Sequence, residues 1–123
     1  NSWPTMNGAW IPPDLLAVSP WYENLTLIQF IHRKLAILLV ISFSLWWFLC
    51  RAYVKNSHAA KAVVVLALCL LAQFALGVIT LLHQAALPLA LAHQMTALAL
   101  FASAVVVLYY LHIPAEWRGP VRK

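Results

Sequence analysis

The chain has 123 residues, 64% hydrophobic and only 9% charged. A soluble domain carries roughly 25% charged residues, so the composition excludes a water-soluble globular protein and points to a membrane protein. The formal net charge of +5 would suit nucleic acid, but the cations sit where apolar segments end rather than on one face, which excludes that partner and leaves the lipid bilayer.

Residues 1–24 come first, rich in Trp and carrying Pro4, Pro12, Pro13, Pro20 and Gly8. They read as an extramembrane loop, with a short interfacial helix expected at Asp14 to Val18. The chain opens on Asn1 without a basic n-region, so no signal peptide is expected, and it reads as part of something longer. The string Asn24-Leu25-Thr26 matches a glycosylation acceptor, but it abuts an apolar run, and Asn24 is expected to cap a helix there instead.

Crossing a hydrocarbon core takes roughly 20 helical residues, and three segments are long and charge-poor enough, at about 25–54, 59–82 and 88–112. The predicted fold is all-α, with three transmembrane helices. Gly77 in the second would let a neighbouring helix or a flat ligand approach closely. Pro88 opens the third, where its missing N–H costs little.

Charge orients the spans. Arg51, Lys55 and Lys61 flank the first connection and Arg118, Arg122 and Lys123 the tail, whereas the connection around His83 to Leu87 has no Lys or Arg. The positive-inside rule places residues 1–24 and the second connection outside, and the C-terminus on the cytoplasmic or matrix side. Trp10, Trp21 and Tyr22 then fall at the outer interface, and Trp46, Trp47, Tyr53, Tyr109, Tyr110 and Trp117 toward the inner one. Cys50 and Cys69 show no metal spacing and read as inert small apolar residues. There is no Gly-rich phosphate loop, nucleophile elbow or thiolate cluster.

Five histidines remain. His58 in the first connection, His83 at the outer end of the second span and His112 at the inner end of the third read as interfacial polar residues. His32 and His93 lie within spans, where an ionisable residue is expensive and suggests function, with an interhelical hydrogen bond as the plainer reading. Both spans run from outside to inside, and the two residues lie at depths that agree within roughly 3 Å at 1.5 Å per residue. They can face each other at one level, as two axial ligands of a haem iron require. His112 cannot join His93, since 19 residues of helix separate them by about 28 Å. Ala86, Ala90, Ala97 and Ala104 are small residues on or near the His93 face, and Ala36 lies one turn below His32; they would leave room for a macrocycle. Each Nδ1–H is expected to be held by a backbone carbonyl one turn earlier. Arg33 and Lys34 either snorkel to the interface or pair with propionates.

The loop NSWPTMNGAWIPPDL, the helix start ENLTLIQFIHRKLA, the stretch QFALGVITLL and the helix start LPLALAHQMTALALF together resemble the C-terminal half of the haem A synthase family of cytochrome oxidase assembly. The resemblance covers almost the whole chain, and its most specific parts are Gln-Phe-x-His-Arg and Leu-Pro-x-x-x-x-His-Gln. It implies two similar four-helix bundles, of which this chain supplies the last three helices of the second. In the family the N-terminal bundle holds the substrate, haem O, and carries a Glu three residues before its His; here that position is Gln29, which matches the cofactor half. The resemblance therefore implies haem b as cofactor, with His32 and His93 as iron ligands and Gln29 and Arg33 beside them. It further implies an oxidoreductase that converts the haem O C8 methyl to a formyl group, through successive hydroxylations, in the bacterial plasma membrane or mitochondrial inner membrane. This chain alone is not expected to be catalytically competent. The electron donor is not identified by the sequence, and homo-oligomerisation is left open. The alternative is a haem b-binding membrane anchor or electron-transfer module without synthase activity.

Overall fold

The computed structural model describes residues 2–18, 20–52, 54 and 57–112. Tyr53, Lys55, Trp117, Arg118, Arg122 and Lys123, used above to orient the chain, lie outside the described residues. The protein is an all-α membrane protein: helices α1 (Leu25–Cys50), α2 (Ser57–Leu82) and α3 (Leu87–His112) follow one 3-10 turn at Trp21–Glu23. Each of the three helices is long and apolar enough to cross a membrane. Their ends fall close to the expected spans, except that α1 stops at Cys50 rather than near residue 54.

Local chemistry explains the helix starts. Asn24 is almost wholly buried, at 2% exposure. Its Oδ1 accepts from Leu27 N–H at 3.0 Å and its Nδ2 donates to Leu15 O at 2.8 Å, so it caps α1 and ties the preceding loop to it. A side chain so engaged is not presented for glycosylation. The helix expected at Asp14 to Val18 does not form. Residues 13–16 make a turn closed by Ala17 N–H to Asp14 O, and the helical turn lies instead at Trp21–Glu23, where Pro20 accepts from Glu23 N–H. Pro20 has φ −75°, an angle its ring imposes and a helical turn tolerates at its start.

Antiparallel packing of α2 on α3 follows from a connection of only four residues, 83–86. Gln84 and Ala85 both take positive φ, and Ala85 N–H reaches back to Thr80 O at 2.8 Å, closing the end of α2. Thr80 Oγ1 then donates to Leu89 O across the hairpin. Further along, Gly77 meets His93, Val63 meets Val107 and His58 stacks on Tyr110, all in one register. The backbone of α1 approaches neither partner along most of its length. It touches them through side chains: Phe43 and Trp46 pack on the Ala62, Val63 and Val107 cluster, and His32 meets His93. Thus α1 runs parallel to α3, the apolar core lies near the α1–α2 connection, and a cleft opens toward the other end. Outward side chains such as Leu38, Leu45, Leu68, Leu71, Leu98 and Phe101 are exposed, as a hydrocarbon solvent allows.

Candidate functional site

The cleft has a volume of about 450 Å³, within the roughly 300–1,000 Å³ of small-molecule and cofactor sites. Gln29, His32, Arg33, Leu35, Ala36, Leu39 and Val40 of α1 form one wall, and Leu70, Gln73, Phe74, Gly77, Val78, Thr80 and Leu81 of α2 the other. From α3 come only His93 and Leu100. All four residues singled out from the sequence, His32, His93, Arg33 and Gln29, line this one cleft.

The two imidazoles meet edge-on, with ring centres 6.3 Å apart and planes at 79°. His32 is exposed along the open side and His93 is half-buried. Gly77 explains how His93 fits: a Cβ there would stand 3.0 Å from His93 Cε1, so the ring rests on bare α2 backbone. The close approach anticipated at Gly77 is made by this imidazole. Among the described residues, no group of three or more His, Cys, Asp or Glu is placed to hold a bare metal ion.

Three expectations are corrected. The small walls are Ala36, Gly77 and Ala85, while Ala86, Ala90, Ala97 and Ala104 do not line the cleft, because α3 turns most of its surface to α2 and outward. His93 Nδ1 is not held by a carbonyl one turn earlier; it is buried without a partner, and Nε2 instead faces the Gln73 amide nitrogen at 3.2 Å. Carbonyls one turn earlier do hold Nδ1 of His83 and His112, at Ile79 O and Leu108 O. Arg33 does not snorkel. At 8% exposure, its Nη1 donates to Ser2 O at 2.8 Å and Thr5 O at 3.1 Å, leaving Nε buried and unpaired. Lys34 is exposed, with Nζ 5.0 Å from the Phe30 ring centre.

The Arg33 bonds reveal a roof that the sequence reading missed. Residues 2–9 fold back at Asn7-Gly8, both at positive φ, with Met6 and Ala9 exchanging backbone hydrogen bonds. Asn-Gly at such a turn is a strong hairpin signal that was there to be read. Ser2 Oγ donates to Thr5 O and accepts from Asn7 N–H, and Trp3 packs edge-on against Phe74 at 5.6 Å. The turn thus covers the end of the cleft, with Trp3 in its lining.

Residues 1–105 match the family model of the cytochrome oxidase assembly protein. The chain belongs to this family. It is 39% identical to heme A synthase of Paracoccus denitrificans over 99% of the chain and 33% of that protein. To heme A synthase of Nitrosospira multiformis it is 40% identical over 87% of the chain and 31% of that protein. Heme A synthase COX15 of Mus musculus is 40% identical over 85% of the chain and 26% of its own length. This family member therefore spans about a third or less of the relatives it matches. No solved structure matches it.

Proposed function

We propose that this chain is the cofactor-holding portion of a haem A synthase, in which His32 and His93 ligate the iron of haem b from its two sides. The observation that carries the reading is the imidazole pair meeting across the cleft at 6.3 Å. Imidazole nitrogens bind metals at about 2 Å, so both rings could hold one metal between them with their centres about 6 Å apart. A porphyrin brings four nitrogens of its own, which agrees with a two-histidine protein set. Held by His32 and His93, haem b would supply one-electron transfer.

The chain's own residues have separable tasks. Gly77 seats the His93 ring, and the apolar walls from Leu35 to Val40 and Leu70 to Val78 keep the site dry. Trp3 and the turn at 2–9 cover its end. Arg33 and the half-buried Gln29 give that end of the cleft its polar lining for propionates, with Arg33 Nε itself buried. The absence of a carboxylate at Gln29 supports assigning the oxidation of haem O, from C8 methyl to formyl, to another part of the whole protein, with this part passing electrons. The cation distribution supports an outer location for residues 1–24 and the 83–86 connection, with the C-terminus cytoplasmic or matrix. Bacterial and mouse relatives fit a bacterial plasma membrane or mitochondrial inner membrane.

The test is haem extraction from cells that make haem O and express the full-length protein. Haem A should appear, and His93→Ala should abolish it while haem O persists. Haem b bound without any haem A formed would favour the electron-transfer module instead.

A further inference from the structure

We infer that Gln73 is a positioning residue that guards the ligating nitrogen of His93. The inference takes its metal, an iron porphyrin, from the function proposed above, but the contact beneath it is independent of that reading. Gln73 lies on α2 one turn before Gly77, and the two hold His93 together: Gly77 lies under the ring, and the Gln73 amide nitrogen reaches Nε2 at 3.2 Å. We take the Gln73 carboxamide nitrogen as donor, which makes Nε2 the acceptor and places the ring proton on Nδ1. This is the tautomer that ligates a metal through Nε2.

A neutral imidazole has one in-plane lone pair at that atom, and a metal requires the same one. Gln73 and iron therefore compete for it. The contact also leaves two buried polar atoms, Gln73 Oε1 and His93 Nδ1, without partners. Buried polar groups are rarely left so, and those that are call for an explanation. Gln73 keeps Nε2 aimed at the cleft and gives it up to a stronger acceptor of the lone pair.

The test uses the full-length protein with Gln73→Met, which keeps length and apolar bulk but removes the donor, and Gln73→Leu as a second variant. Transfer of haem from the holoprotein to apomyoglobin measures its loss from the His93 site. Without a competitor to capture the freed nitrogen, that loss should slow by about two- to tenfold, the ratio that corresponds to one neutral hydrogen bond. In protein prepared under haem limitation, diethyl pyrocarbonate should modify His93 faster in both variants, read by mass spectrometry of its peptide. Faster haem loss in the variants, or unchanged modification of His93, would overturn the inference. Faster modification in a protein that holds no His93-dependent haem would uphold the guarding role and remove the haem b reading.

Discussion

Gly77→Ala adds a single methyl group at the point where α2 touches His93. Carbon atoms in ordinary contact lie about 3.5–4.0 Å apart, and the new Cβ would stand 3.0 Å from Cε1, 3.6 Å from Nδ1 and 3.8 Å from Nε2. The ring must therefore move by about half an ångström at its Cε1 edge, away from α2 and off the 3.2 Å contact with Gln73. Overpacking of this kind costs roughly 1–3 kcal/mol. Taken from the loaded state, that is a loss of haem affinity of roughly five- to 150-fold. In the haem-free protein no metal fixes the ring, which can yield at the cost of the Gln73 contact, while Ala exceeds Gly by about 0.8–1 kcal/mol in helix propensity, so thermal unfolding there should change little. Haem titration of the full-length protein, beside thermal unfolding without haem, separates the two effects. Wild-type affinity with an unaltered low-spin spectrum would show that His93 does not use Gly77 as its seat when haem is bound.

Arg33→Leu removes two hydrogen bonds from a charged donor, each worth roughly 1.5–3 kcal/mol when buried. Amide exchange in residues 2–9 should rise sharply and haem retention fall, with axial ligation preserved; unchanged exchange would show that Trp3 on Phe74 holds the turn alone. Asn24→Ala deletes both the α1 cap and the tie to Leu15, so unfolding should occur about 1 kcal/mol earlier, read by thermal or denaturant melting, with Asn24→Asp recovering the cap but not the tie.

Helix number, helix boundaries and the meeting of His32 with His93 were legible in the sequence because a bilayer imposes them. Hydrocarbon thickness sets span length, and equal depth on spans of equal direction lets the two histidines meet, while the packing of the helices decides their rotation. Gly77 was legible as a close approach, although its partner was not. The errors lie where the outcome depends on side-chain partners distant in sequence. Arg33 was weighed between water and propionate because nothing local says that Ser2 and Thr5, 31 and 28 positions earlier, would fold back onto it. Gln73 is not legible in the sequence, because a glutamine in an apolar helix has no spacing signature until the register of α2 against α3 is known. The alanines of α3 were assigned to the cleft from spacing alone, which gives a face but not what it faces.

The most direct test is the electron paramagnetic resonance spectrum of the full-length protein carrying His32→Ala or His93→Ala, beside the wild type. Two neutral imidazoles on one iron give a six-coordinate low-spin centre, and removal of either opens a coordination position. The wild type should show a low-spin ferric haem b signal that each substitution converts to high spin or abolishes, with both variants still folded by thermal melting. A low-spin haem b signal that persists unchanged in both would mean that His32 and His93 only pack against each other across the cleft, and that the haem is bound elsewhere.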